Sequence, residues 1–548
     1  MKRAFAIMCY FVLLSSAAFG QSATTPAAAP AAFDVADVHT SPKTTFPFFQ
    51  GGVLQGTRYV LRNATMVDLI ATAYGVDNNN VLGGPSWLET DHFDVIAKVS
   101  PGTTMEAIKP MLQAMLTDRF KLALHQDTKP MPVFVLTVGK GNPKLKEADP
   151  AGTTGCGPSP NQQPPTPGTV FYIMVTCKNM TMEAFAEQVH QMAGGYLTNP
   201  VVDQTGLKGA WDFDIKWTGR GALAQAGADG ISIFDAVDKQ LGLKLDAQRI
   251  PLPVYVVDSA NEKPTDNPPS VAANMPPAAP AEFEVAVIKP SPPGATQGGR
   301  VDPAGRIDLQ AITLKDLITI AWDLDPRVDD MLVGAPKWLG SDKFDIVAKI
   351  STSAPTTNSQ QLPDIEDLRK MLRALLIERF EMVVRNEDRP ISAYTLTAVN
   401  PKLKKADPSN RTACKEGPGA DGKDPRISNP ILSRLITCLN MTMPQFAEQL
   451  RLIAGGYIFT PVQDATGLEG AYDFTLSFST AGQFNGGGRG VAGGGAPPAS
   501  DTPTASDPTG ALSIFDAVSK QLGLKLEMRK RPVSVLVIDH VEEKPTDN

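Results

Sequence analysis

Ser232–Asn267 reads SIFDAVDKQLGLKLDAQRIPLPVYVVDSANEKPTDN, and from Ser513 the chain reads SIFDAVSKQLGLKLEMRKRPVSVLVIDHVEEKPTDN. The two stretches align without a gap, 281 residues apart from Ser232 to Ser513. Each holds a capped helix start, a glycine turn and an alternating strand. Such a recurrence constrains the fold more than any composition does: one large unit occurs twice. The same EKPTDN hexapeptide closes both copies. The repeat therefore predicts copy one over 33–267 and copy two over 282–548, with 268–281 as a Pro/Ala-rich linker.

Inside each copy, helical and strand periods alternate. Thr65 with Asp68, and Thr313 with Asp316, are helix-start pairs, followed by apolar faces such as Met66, Leu69, Ile70 and Ala73. Trp87 and Trp338 each follow a Gly-Pro or Ala-Pro break, and Phe93/Val95/Ala97 and Phe344/Ile346/Ala348 alternate as strands. A second helix ends in Arg119-Phe120 and Arg379-Phe380, with strands expected near 121–126 and 133–138. Strands come singly and in pairs around short helices. That pattern predicts an α+β fold of two homologous modules, each with short helices on mixed or antiparallel sheets, rather than a doubly wound parallel one.

Residues 1–20, MKRAFAIMCYFVLLSSAAFG, have a positive start, an apolar run and a small-x-small end, the pattern of a signal peptide. An Ala/Pro/Thr-rich lead-in over 21–32 is expected to be disordered. No later stretch approaches the roughly 18–20 apolar residues of a membrane helix, so no transmembrane segment is expected in the mature chain. An exported protein, periplasmic or extracellular, is the expectation. Cys156 and Cys177 in copy one match Cys414 and Cys438 in copy two, and two per copy in an exported chain predict one disulfide in each. The net charge of −7 comes without a basic cluster, so no nucleic-acid partner is expected. Copy two carries a Gly/Ala/Pro-rich insertion over 479–510, expected to be disordered; it lacks the GK[ST] of a phosphate loop.

The duplication also screens the chemistry. None of His92, His125 and His190 has a histidine at the equivalent place in copy two, which argues against a histidine-dependent site common to both. Asp68/Asp316, Asp94/Asp345, Asp203/Asp464, Asp212/Asp473, Asp235/Asp516 and Arg119/Arg379 are shared. Paired acids suit a hydrolase of envelope polymers or peptides. Cap, turn and helix-dipole roles already account for most of these positions. No catalytic residue, metal ligand or cofactor is assigned. Trp87, Trp338, Tyr74 and Trp322 are the candidates for ligand contact, because loop-borne aromatics beside a proline often carry recognition. The reading is a non-enzymatic binding or sensing protein with an unidentified cell-envelope or extracellular ligand; the hydrolase is the alternative.

The assembled motifs resemble an exported family of unknown function expanded in soil Acidobacteria. They are FEVAVIKP (Phe283–Pro290), G-x-P-x-W-L, Met371–Phe380, Asp464–Phe474 and Gln521–Leu526. The resemblance implies no activity, cofactor or catalytic residue. Relatives that look fused to membrane-bound peptidase sensors imply a sensing or binding role. The L-G-L-K-L helix end with its V-x-V-x-D strand is similar, at the level of fold alone, to short envelope domains of secretins and TonB-dependent receptors.

Overall fold

The computed structural model describes residues 32–546 apart from 46, 150–151, 163, 165, 167–168, 276–280, 303–304, 351–363, 420–421, 430 and 484–509. The expected signal peptide, nearly all of the expected lead-in and most of the glycine-rich insertion thus lie outside the described residues.

Copy one opens with β1 (Val35–Thr40), β2 (Gln50–Gln55), β3 (Arg58–Thr65), α1 (Met66–Tyr74), β4 (Val81–Gly83), β5 (His92–Lys98), α2 (Met105–Phe120) and the long β6 (Ala123–Val138). The same order then recurs. It runs β7 (Lys146–Glu147), β8 (Gly155–Pro158), β9 (Tyr172–Met180), α3 (Met182–Met192), β10 (Val201–Asp203), β11 (Trp211–Thr218), α4 (Arg220–Ala226), α5 (Ile233–Ala236) and the long β12 (Leu243–Ser259). A short α6 (Ser270–Asn274) follows.

Copy two repeats the plan. Its first half is β13 (Val285–Pro290), β14 (Gly298–Val301), β15 (Arg306–Thr313), α7 (Leu314–Ala321), β16 (Leu332–Val333), β17 (Lys343–Lys349), α8 (Ile365–Arg379) and β18 (Val383–Ala398). Its second is β19 (Lys404–Lys405), β20 (Ala413–Glu416), α9 (Pro425–Ser428), β21 (Arg434–Thr442), α10 (Met443–Ile453), β22 (Val462–Asp464), β23 (Ala471–Phe478), α11 (Ile514–Ala517) and β24 (Leu524–His540).

Each copy is therefore a pair of halves. In copy one the two outer sheets have matching orders, β1-β5-β3-β2 and β7-β11-β9-β8. The middle sheet, β10-β6-β12-β4, joins them. Its long strands are antiparallel, and Pro130 of PMPVFV lies opposite Pro251 of PLPVYV, so a local two-fold axis passes through that pair. Copy two places Pro390 opposite Pro532 in the same way. Each half also lends a short strand to the other: β4 runs parallel to β12, and β10 parallel to β6. The halves are interlocked into one mixed α+β module.

These prolines correct an expectation. A strand pair broken near Gln126–Val133 is observed as one strand, β6. The neighbours β10 and β4 cover only Phe134–Leu136 and Tyr255–Val257, so Pro130 and Pro251 sit where each long strand is an edge. A missing N–H costs nothing there and blunts the edge against stray pairing.

Strand passes into helix four times through one device. Asn63, Asn179, Ala311 and Asn440 all have positive φ and mark bulges in β3, β9, β15 and β21. At each, an aspartate on the neighbouring strand accepts the N–H that the bulge frees. These are Asp94 for Asn63 (3.0 Å), Asp212 for Asn179 (2.9 Å), Asp345 for Ala311 (2.9 Å) and Asp473 for Asn440 (2.8 Å). Two residues on, Thr65, Thr181, Thr313 and Thr442 cap α1, α3, α7 and α10. The bulge bends the strand and the threonine starts the helix, so each helix folds back over its own sheet.

The repeated PTDN also has a physical cause. Arg119 is buried and donates to Thr265 O and Oγ1 and to Asn267 Oδ1, while Thr265 N–H donates back to the Arg119 carbonyl. Arg379 holds Thr546 in the same way. These arginines are clasps on the closing hexapeptide, which replaces the helix-dipole role expected of them. Within the linker, Ser270–Asn274 is helical, with Val271 buried.

Each half has its own core. Leu69, Ile70, Phe93 and Phe120 centre one in copy one, closed by Val257 of β12. Phe185, Phe213 and Trp217 centre the other, closed by Leu136 of β6. Phe344 with Phe380 and Phe446 with Phe474 repeat the edge-to-face aromatic pairs of Phe93–Phe120 and Phe185–Phe213. The disulfides Cys156–Cys177 and Cys414–Cys438 cross-link paired strands, β8 to β9 and β20 to β21.

Candidate functional site at the module junction

The shared carboxylates are engaged in structure. Asp94, Asp212, Asp345 and Asp473 clamp bulges; Asp68 and Asp316 complete capping boxes; Asp235 and Asp516 bond the Ser232 and Ser513 caps. Asp203 and Asp464 accept from Thr205 and Thr466 N–H, the turn role their spacing predicts. These anions already have strong donors. The Ser291 hydroxyl and then the Ala311 N–H hold Asp345 below the ordinary aspartate pKa, and the Asn179 N–H and then Lys178 do the same for Asp212.

The candidate aromatics are half-buried against the core of their own copy. Trp87 and Tyr74 pack on the first core of copy one, Trp87 edge-on to Phe93 at 6.1 Å and Tyr74 against Tyr255 at 4.5 Å. Trp322 and Trp338 pack on the equivalent core of copy two, with the Arg373 guanidinium 5.9 Å from the Trp322 ring. The structure brings them together in pairs by module, on packing surfaces.

A charged network lies between the copies, and only part of it is common to them. Arg58 Nη1 of β3 meets Asp367 Oδ2 of α8 at 2.7 Å. Arg62 bridges Asp94 Oδ2 (2.7 Å) in its own module and Asp364 Oδ2 (2.9 Å) in the other. The five side chains of this network are between 3% and 15% exposed, so it is a buried one. Burial opposes the charge of Arg62, and its bonds to Asp364 and then Asp94 outweigh that, raising its pKa above the ordinary arginine value. Thr45 donates its N–H to Asp323 Oδ2 at 2.7 Å, and Arg369 holds the other oxygen of that carboxylate.

A second contact surrounds a groove. Glu89, in the 3-10 turn Ser86–Glu89, pairs with Arg411 (2.5 Å) and Lys415 (3.3 Å) of copy two. Arg411 also donates to the carbonyls of Val81 and Gly83, capping the end of β4. The groove holds about 260 Å³ and has for its floor the outer face of the β20–β21 pair, with Ala413, Lys415, Thr437 and Leu439. Glu89, Arg411 and Glu416–Gly419 complete its lining. Glu416 is held by Arg426 and Arg434. Two cations and two anions thus face a groove of mixed character, with Leu439, Ala413 and Pro418 as its apolar lining. The cleft beside Arg62 and Asp94 holds only about 10 Å³, too little for more than a water.

Among the described residues, Glu381, His540 and Glu542 are the group with ligand atoms within 4.8 Å of one another; all are exposed. No helix among the described residues is long and apolar enough to cross a membrane.

The family model described as Protein of unknown function (DUF3738) matches residues 67–260 and 315–541. The chain belongs to this family. Both DUF3738 regions begin inside the first capped helix of a copy and run to the end of its long strand pair. No curated protein and no solved structure matches the chain. Arg58 and Arg62 precede the first DUF3738 region, whereas Glu89, Asp364, Asp367, Arg411 and Lys415 fall inside the two. Reading the copies for what they share passed over these charges. The signal was in their differences: Arg62 faces Gln310, Glu89 faces Gly340, and Asp364 and Asp367 face Thr104 and Ala107.

Proposed function

We propose that the chain is an exported, non-enzymatic binding protein of the cell envelope or its surroundings, built from modules 33–267 and 282–548, which hold a ligand in the groove at their junction. The observation that carries this reading is the division of labour among polar residues. The carboxylates common to both copies are bonded to backbone N–H groups, caps and turns. The groove takes Glu89 from copy one and the rest of its lining from copy two, and its charged residues Glu89, Arg411, Lys415 and Glu416 differ between the copies. Its lining of Glu89, Arg411, Lys415 and Glu416 around Thr437 and Leu439 suits a short zwitterionic peptide, such as a stem peptide of the cell wall. An amine and a carboxylate would then each find an opposite charge, and a small apolar side chain would rest on Leu439. The signal-like start and the two disulfides support export.

Calorimetric titration of the mature chain with short peptides, cell-wall stem peptides among them, tests the proposal. Binding that is lost in Leu439→Arg, with the melting profile unchanged, is the expected result. A chain that binds none of them, or binds them equally well with Leu439→Arg, overturns it.

A further inference from the structure

We infer that the junction is a one-way lock: copy one is built to grip copy two, and neither is built to grip its own kind. The contacts are head-to-tail. Copy one presents the loop at Lys43–Thr45, β3, and the stretch from Asn79 to Glu89; copy two presents Asp323, the start of α8, and Arg411–Gly417. The places in copy two that correspond to the first set are different surfaces from those it uses. A contact of this kind has no internal reason to stop, because each module carries both faces and a chain of modules can grow.

The charges stop it. At the β3–α8 contact the acids Asp364 and Asp367 belong to copy two, and the same positions of α2 are Thr104 and Ala107. From copy one Arg62 bonds Asp364 and Arg58 bonds Asp367; the counterpart of Arg62 is Gln310, while Arg58 keeps an arginine, Arg306, so Arg62 and the two acids carry the asymmetry here. At the groove, Glu89 stands in copy one against Gly340 in copy two. Its partners Arg411 and Lys415 stand in copy two against Thr153 and Gly157 in copy one. Both contacts therefore have their positive and negative sides in different copies. A third module approaching the free face of copy one would meet Thr153 and Gly157, and one approaching copy two would meet Gly340 in place of Glu89 and Gln310 in place of Arg62, with Arg306 the one matching charge left. Among the described residues, an added Cβ on Gly155 or Gly157 would meet nothing within 4 Å, so that face is open. The buried pairs fix which surfaces meet; leaving one partner uncompensated at a mismatched surface disfavours every other pairing. The lock stands whatever the groove holds.

The test uses the full chain with a protease site between Met275 and Ala281, cut after folding. The halves are expected to remain a one-to-one pair on light scattering, and the uncut chain to be a monomer. Arg58→Glu with Glu89→Arg reverses the copy-one side of both contacts at constant net charge; Asp367→Arg with Arg411→Glu reverses the copy-two side. Each double variant should weaken the pair by roughly tenfold or more, and the quadruple variant should recover most of it. Wild-type halves that separate, reversed halves that hold as tightly, or a quadruple variant no better than the doubles with every half folded by circular dichroism, would each overturn the inference. Should a reversed half fail to fold, small-angle scattering of the uncut wild-type chain decides. A docked, compact pair of modules is expected, and two loosely tethered bodies contradict the lock.

Discussion

The bulge clamps and the junction are both built from aspartates and short hydrogen bonds, yet they behave oppositely under duplication. The clamp recurs four times with almost the same geometry, at Asp94, Asp212, Asp345 and Asp473. The junction occurs once; Arg62, Glu89, Asp364, Asp367, Arg411 and Lys415 have neutral residues at the matching places in the other copy, whereas Arg58 and Asp94 are matched by Arg306 and Asp345. A residue that serves the fold is needed wherever the fold is repeated. A residue that serves one contact is needed only on the side that makes it. Asp94 belongs to both classes, because it clamps Asn63 and also holds Arg62.

That double role gives the largest expected effect. Asp94→Ala leaves the buried Arg62 with one fewer anion and strands the Asn63 N–H. It should destabilise the chain by about 3–5 kcal/mol, against about 1–3 kcal/mol for Asp345→Ala, which removes a clamp alone. Urea titrations of the two variants measure the gap, and equal losses would break the distinction between the residues. The disulfides should show the reverse pattern. Cys156→Ser with Cys177→Ser, and Cys414→Ser with Cys438→Ser, each open loops of similar span, 21 and 24 residues. Each pair should cost about 3 kcal/mol by calorimetry, with little difference between copies.

Below these come the caps. Thr65→Ala and Thr313→Ala should each lower stability by about 1 kcal/mol, matching across the copies because each cap has the same capping box. The smallest effect is in pH. Asp345 and Asp212 have depressed pKa values in the fold. Their stabilisation is therefore complete above the unfolded aspartate value of about 3.9 and is lost as the pH falls through their lower folded values. Asp345→Asn should flatten the melting temperature against pH below about 4, and leave it unchanged at neutral pH apart from a constant offset.

The sequence carried the helix starts, the strand alternation and the cysteine pairs, because each is a local pattern. Thr65 with Asp68 forms the capping box its spacing implies, and Cys156 lies directly across from Cys177. The halves within each copy were less legible. Between the halves of copy one, PxPV with a following aromatic, the Asn-x-Thr-Met of the bulge and cap, and the clamping aspartate survive. The strands expected near 121–126 and 133–138 are one strand through Pro130; nothing local says that a strand is an edge at that point. The junction had no local pattern at all: Arg58 and Asp367 are 309 positions apart and meet only because two modules dock.

A double-mutant cycle across that pair tests the docked, charge-coded junction most directly. Arg58→Met, Asp367→Leu and the two together would be compared with the parent chain by chemical denaturation. The account predicts a coupling energy above about 1 kcal/mol, with each single change costing more than the pair of changes. Strict additivity of the two substitutions would contradict it.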